Sequence, residues 1–235
     1  MYLDDLPSIP KPVSIGERPL CFDDCGEPLI DLSALCPERI ECASAYYAQG
    51  IPGALPTCML REGAAKRLLT AAEKLPFGWK LRVFDGWRPL RVQKALFDDY
   101  LCRLAYREES QELSVRELIR LTGEFVAFPC TDPIRPFNHG GGGAVDLTIV
   151  DEAGAELDMG TGFDDFTDLS HTRYFEEHDE SPSVRQNRRL LYHLMIEAGF
   201  TNYPAEWWHY DFGNSLWAAH TGQRPIYGGI AALSE

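Results

Sequence analysis

Between Arg61 and Leu75 the apolar residues Ala64, Leu68, Ala71, Ala72 and Leu75 recur at helical intervals, which predicts an amphipathic helix. Pro76-Phe-Gly78 ends it, and Trp79 to Phe84 alternates as a strand. Asp85-Gly-Trp-Arg-Pro89 reads as a turn, with Pro89 suited to the first position of a second helix. That helix carries Val92, Ala95, Leu96, Tyr100 and Leu101 on its apolar side. Charged positions over 107–120 predict a solvated connection and a further short helix, and 129–137 reads as a loop. From Ala144 to Val150 the pattern changes to strict alternation. Val145, Leu147 and Ile149 share one face and Ala144, Asp146 and Thr148 the other, as in a half-buried strand. Turn residues follow at Asp151 to Gly154, and 167–182 is a polar, acidic loop. Ser183 to Ala198 returns to helical spacing, closed by Gly199 as a C-cap. The aromatic run Glu206-Trp-Trp-His-Tyr-Asp-Phe212 reads as a strand. Residues 1–40 show no sustained period and are expected to wrap the surface with a short strand or two. The last twenty residues carry no clear element. No repeat or linker divides the chain, so residues 1–235 read as one domain.

Composition narrows the partners. At 235 residues, with 45% hydrophobic and 25% charged positions, the chain can bury a sizeable core. Asp plus Glu outnumber Lys plus Arg by 36 to 22, a net charge of −14 that excludes nucleic acid and an anionic membrane surface as main partners. The start, Met-Tyr-Leu-Asp-Asp-Leu-Pro, shows neither the basic nor the apolar region of a signal peptide, and no run is apolar enough to span a bilayer. Seven cysteines without a framework then read as free thiols in a reducing compartment, so a cytoplasmic location is expected. Cys21 and Cys25 lack the second pair that a cysteine zinc site needs. Oligomeric state is not legible.

The candidate chemistry gathers around Asn138-His-Gly-Gly-Gly-Gly-Ala-Val-Asp-Leu147. His139 and Asp146 are two metal-ligand types on one loop–strand unit, joined by four glycines that can take positive φ angles and leave space beside the histidine. A catalytic zinc keeps three protein ligands and an open position for water. His209, on the last strand candidate, offers the third ligand. Glu206 lies three residues earlier, within reach of a water. Because positions three apart on a regular strand face opposite ways, a bulge at Trp207-Trp208, or a start of the strand after Glu206, is expected. Plainer readings exist for each residue. The stretch could be a surface loop, Glu206 a solvated strand-edge acid, Arg88 a structural ion-pair partner, and Trp207 and Trp208 core. His171, His178, His193 and His220 read as ordinary polar residues.

At these residues the sequence resembles the D-alanyl-D-alanine dipeptidases, the VanX-type enzymes of vancomycin resistance. The resemblance is carried by the His139-to-Asp146 spacing with Ala-Val-Asp-Leu-Thr, by Glu206-Trp-Trp-His-Tyr, by Phe84-Asp-Gly-Trp-Arg-Pro89 and by Asp158-Met-Gly-Thr-Gly-Phe-Asp164. It continues in Ser170-His171 and in Asn187-Arg-Arg-Leu-Leu-Tyr192 with Ala198-Gly-Phe200. The matches run in order from about residue 45 to 212. They imply an α+β fold in which a small antiparallel sheet carries the zinc site and helices pack on it, related to D,D-carboxypeptidases and the hedgehog zinc domain. They imply one Zn2+ per chain held by His139, Asp146 and His209, and hydrolysis of D-Ala-D-Ala or a similar small dipeptide by zinc-hydroxide attack. Glu206 would be the general base and then acid, Arg88 would stabilise the tetrahedral intermediate, and Asp164 would bind the substrate ammonium. Two places depart from the pattern. Phe137 stands where the family has a serine, and Gly141 where it often has an arginine. A pocket tyrosine has no exact counterpart; Cys42 falls near its place, and Tyr46 and Tyr47 are the nearby candidates for substrate contact. The alternatives are a metallopeptidase of the same family acting on other dipeptides or on peptidoglycan stem peptides, and a zinc-binding module without catalysis.

Overall fold

In the computed structural model, which describes residues 6–230, short strands alternate with helices. The strands are β1 (Leu29–Asp31), β2 (Ile40–Cys42), β3 (Met59–Arg61), β4 (Lys80–Asp85), β5 (Ala144–Val150), β6 (Thr201–Asn202) and β7 (His209–Asp211). The helices are α1 (Ala45–Ala48), α2 (Glu62–Glu73), α3 (Leu90–Ala105), α4 (Val115–Phe125), α5 (Tyr174–Glu177), α6 (Pro182–Glu197) and α7 (Ser215–Thr221). Residues 1–5 of the expected surface wrap and 231–235 of the tail lie outside the described residues.

The α+β reading holds, and the sheet is richer than expected. Five strands pair in the order β2-β4-β5-β7-β6. The β4–β5, β5–β7 and β6–β7 pairs are antiparallel, while β2 joins β4 in parallel. β1 and β3 form a separate antiparallel ribbon. No helix is long and apolar enough to cross a membrane among the described residues.

Two of the helices that the periodicity predicts, α2 and α6, pack on one face of this sheet. Leu68, Ala71 and Ala72 of α2 and Leu191, Leu194 and Met195 of α6 are buried in one cluster with Leu81, Val83, Val145, Leu147 and Ile149. Each Leu, Ile, Val or Met side chain among them contributes about 1.5–3 kcal/mol by leaving water, and each alanine methyl less. β5 is buried along its whole length, not on one face as its alternation suggests. It has strands on both sides, and its polar face, with Asp146, looks into the body of the protein instead of solvent.

Several differences from the sequence reading have local causes. Pro89 is the N-cap of α3, one position before the place expected for it. The acidic loop 167–182 contains α5, whose Phe175 is buried. The C-terminal stretch contains α7, capped by the Asn214 side chain at the Trp217 amide (3.0 Å). The aromatic strand is shorter than expected: β7 starts at His209, and Glu206 to Trp208 lie in a turn, with the Glu206 amide donating to Tyr203 O at 3.0 Å. Glu206 thus precedes the regular strand, one of the two arrangements its spacing to His209 requires.

The glycine run is also explained by contacts. Asn138–Gly141 is a 3-10 turn, and Gly142 ends it with φ 74°. A Cβ on Gly143 would stand 2.1 Å from the Phe212 carbonyl oxygen, so only glycine allows this approach of the chain to β7. A Cβ on Gly141 would meet Gly228 O at 3.1 Å, and the buried Arg61 Nε donates to Gly141 O at 3.1 Å. The expected opening of space beside His139 is therefore corrected. Gly140 packs against Phe137, Gly141 against the Tyr227-Gly228 segment, Gly142 against Leu29 and Arg61, and Gly143 against Phe212 and Tyr227, and none of them lines the cavity.

Candidate metal centre and its cavity

His139, Asp146 and His209 come together from the 3-10 turn, β5 and β7. Their donor atoms lie within 4.8 Å of one another, and all three residues are buried. Asp146 is the register partner of His209 across the β5–β7 ladder. His139 Nε2 is 3.2 Å from Asp146 Oδ2 and 3.2 Å from His209 Nδ1, and His209 Nδ1 is 2.9 Å from Asp146 Oδ1. The remaining ring nitrogens face away from this point. His139 Nδ1 donates to Gly86 O at 2.8 Å, and His209 Nε2 lies 3.1 Å from Asp211 Oδ2. Outward hydrogen bonds of this kind fix the tautomer that leaves the inward nitrogen free to ligate. Two imidazole nitrogens and one carboxylate oxygen, buried and convergent, fit zinc with an open fourth position. His171, His178, His193, His220 and the Cys21–Cys25 pair take no part in it.

Electrostatics follow from burial and mutual proximity. Burial alone would lower His209, but Asp211 and Asp146 outweigh it and hold the imidazole well above its ordinary value. Burial would raise Asp146; His139 and His209 reverse this and keep the carboxyl below the usual carboxylate range.

Glu206 projects from the turn before β7, its Oε2 3.8 Å from His209 Nδ1. Burial pushes its carboxyl up to about 8; His209 opposes the shift and Asp146 and Asp164 add to it. Arg88 follows the β4 turn and is buried. Its Nε donates to Asp85 Oδ2 (2.7 Å), its Nη1 to Gln93 Oε1 (2.8 Å) and its Nη2 to the Tyr46 hydroxyl (3.3 Å). Nη2 also lies 3.5 Å from Asp146 Oδ2. Gln93 is in turn tied to Ala127 O at 2.6 Å. The guanidinium is held rigidly with one edge toward the ligand cluster.

Asp164 is the non-glycine residue with positive φ (59°) among the described residues. Such backbone is sparsely populated and gathers at functional sites. Its Oδ2 accepts from the Tyr46 hydroxyl at 2.9 Å. Phe163 beside it stacks on Phe84 at 4.9 Å between ring centres. The loop is tied down from α6, where buried Arg188 donates to Met159 O (2.8 Å), His171 O (2.7 Å) and Leu169 O (2.7 Å). Tyr46 and Tyr47 part company. Tyr46 is buried in the site, whereas Tyr47 is 55% exposed and is not brought to the cavity.

These residues line one cavity of about 730 Å3. His139, Asp146, His209, Glu206, Arg88, Tyr46 and Asp164 all face it, and so does Phe137. Sequence reasoning passed over Asp85, Gln93, Asp211 and Arg188. Only Asp211 had a readable signal, since two positions after His209 on a strand means the same face.

The sequence pattern of the family described as D-ala-D-ala dipeptidase matches residues 47–224. A D-alanyl-D-alanine dipeptidase of Synechocystis is 31% identical over 225 residues, covering 86% of this chain and 89% of that protein. One from Escherichia coli K12 is 42% identical over 189 residues, covering 77% of each. A solved structure of a vancomycin-resistance D,D-pentapeptidase in complex with Zn(II) aligns with a TM-score of 0.41 at 18% identity, covering 72% of this chain and 83% of that one.

Proposed function

This chain belongs to the D-ala-D-ala dipeptidase family, and from that membership we propose that it is a zinc-dependent dipeptidase hydrolysing D-Ala-D-Ala or a similar small dipeptide. The observation that carries the reading is the placement of a carboxylate and a guanidinium on the same three-ligand centre: Glu206 Oε2 3.8 Å from His209 Nδ1, and Arg88 Nη2 3.5 Å from Asp146 Oδ2. A site that only bound metal would need neither group.

His139 Nε2, a carboxylate oxygen of Asp146 and His209 Nδ1 would hold the zinc. When bound, zinc acidifies water and polarises a carbonyl. Glu206 accepts the proton of the attacking water and returns it to the leaving amine nitrogen. Arg88 donates from Nη2 to the carbonyl oxygen as negative charge develops there, and its clamp on Asp85 and Gln93 means that little reorganisation is needed. Asp164 pairs with the substrate's free ammonium, with the Tyr46 hydroxyl holding the carboxylate in place. An anchor for the N-terminus next to the scissile bond limits cleavage to one residue from that end.

Phe137 on the cavity wall supports a second reading, in which the same chemistry acts on a different dipeptide or on a peptidoglycan stem peptide. The test is a panel of D,D-, L,D- and L,L-dipeptides and muropeptides against the zinc-loaded protein, with metal content measured in parallel. Release of D-alanine from D-Ala-D-Ala supports the first reading; turnover of another substrate alone supports the second. Absence of any hydrolysis at one zinc per chain overturns both.

A further inference from the structure

A dipeptide is a zwitterion, and its two charges lie on opposite sides of the bond to be cut. The anionic end of the cavity is Asp164. A continuous set of contacts leads away from it. Asp164 touches Tyr46 (2.9 Å), Tyr46 touches Arg88 (3.3 Å), and Arg88 lies 3.5 Å from Asp146. Asp146 touches His209 (2.9 Å), and His209 Nε2 is 3.5 Å from Asn138 Nδ2. The series ends at Arg18, whose Nη1 donates to Asn138 Oδ1 at 3.1 Å. Arg18 belongs to the N-terminal segment without regular structure, 120 positions from Asn138, yet it lines the same cavity as the ligands. Tyr203 lies on that side as well, its phenol subject to the charges of Glu206, His209 and Arg18.

We propose that Arg18, presented by Asn138, binds the free carboxylate of the dipeptide substrate, on the far side of the ligand cluster from Asp164. This rests on the dipeptidase reading above and adds the specificity for the C-terminal end. Two other cations on the cavity wall are otherwise engaged. Arg88 is clamped by Asp85, Gln93 and Tyr46. Arg103 pairs with Asp99 at 2.5 Å. Arg18 has no carboxylate on it among the described residues; its recorded partner is a neutral amide oxygen, which leaves guanidinium donors to accept a ligand.

The experiment compares a dipeptide that the zinc-loaded enzyme cleaves with the same dipeptide carrying a C-terminal amide, in wild type, Arg18→Ala and Arg18→Lys. In wild type the amide should show KM about tenfold or more above the free acid, the worth of one charge-assisted hydrogen-bonded pair. Arg18→Ala should raise KM for the acid by a similar factor, leave kcat within a few fold, and abolish the acid-over-amide preference. Arg18→Lys should recover part of it. If Arg18 only braces Asn138, both substrates suffer alike in Arg18→Ala and the preference survives, which overturns the proposal. A wild type that cleaves no dipeptide overturns instead the dipeptidase reading on which it rests.

Discussion

Asp146 and His209 face each other directly across the β5–β7 ladder, with Oδ1 and Nδ1 2.9 Å apart. Directly opposed residues on antiparallel strands hold their Cβ atoms about 4.5–5.5 Å apart. Two of the three candidate ligands are therefore set by strand pairing alone, with no loop to order. The third is fixed by backbone: His139 O accepts from the Arg88 amide (3.2 Å) and from Gly142 (3.2 Å), while its ring is held on Gly86. The same bond at Arg88 couples the proposed oxyanion donor to the turn that carries His139. Metal centre and guanidinium thus share one rigid frame.

Glu206→Ala should lower kcat by about 10²–10⁴-fold, the usual contribution of a general acid–base group. Glu206 is not among the three ligands, so zinc should stay at about one per chain by elemental analysis. Activity retained in this variant removes Glu206 from the mechanism; zinc lost together with activity makes it a ligand instead.

Asp211 orients His209 from the buried side, and Asn214 Nδ2 holds Asp211 in turn at 2.5 Å. Asp211→Ala should weaken zinc binding by about 10–100-fold, as loss of a ligand's outer partner does elsewhere. Competition with a chromophoric chelator measures this. Activity at saturating zinc should recover much of the wild-type kcat, a result not expected if Asp211 took part in proton transfer.

How much of this was legible before the structure depended on whether a feature was local. α2, α6 and β5 carry their own period, so their apolar residues could be assigned a face. The candidate ligands were legible mainly through the family resemblance, with Asp146 and His209 each placed in a strand by its own pattern. Arg188 and Gln93 were not, since their partners are carbonyl oxygens or side chains brought close only by folding. α5 and α7 are shorter than two full apolar repeats, and their burial comes from what packs on them. Tyr46 and Tyr47 show the same limit: adjacent in sequence, they diverge because α1 points one inward and the other to solvent.

Asp164 gives a pH dependence with a defined sign. Burial, reinforced by Asp146 and opposed by Arg88 and the Tyr46 hydrogen bond, raises its carboxyl to about 6. Ammonium binding needs the ionised form, so kcat/KM should fall as pH drops through about 6, and Asp164→Asn should lack that limb while showing a raised KM. Stability runs the other way. A carboxyl raised in the folded state stabilises it below the unfolded value, and this contribution is lost as pH rises through 6. Asp164→Asn should therefore exceed wild type in substrate-free stability at pH 7, with the gap narrowing toward pH 4.5 in denaturant titrations. A constant gap, with an unchanged KM, would remove Asp164 as the anchor.

Arg188 should prove to be the residue that holds Asp164 in place without touching it. Its guanidinium is buried, brought down to about 10 by that burial and still charged at neutral pH. It joins three carbonyls of the segment 159–171 to α6 and lies 4.8 Å from the Phe175 ring centre. Arg188→Met keeps apolar bulk but leaves those carbonyls without their donor, at about 1–3 kcal/mol for each one that water cannot reach. A net loss of about 3 kcal/mol corresponds to a Tm decrease on the order of 6–12 °C for a chain of this size. Because the freed segment carries Asp164, KM should rise more than kcat falls, and proteolysis should cut first between residues 159 and 171. Arg185→Ala, which removes an ion pair to the 80% exposed Asp179, is the control and should shift Tm by a degree or two at most. If Arg188→Met lowers Tm but leaves KM untouched, the carbonyl contacts serve the fold alone and the ammonium anchor is held by Tyr46.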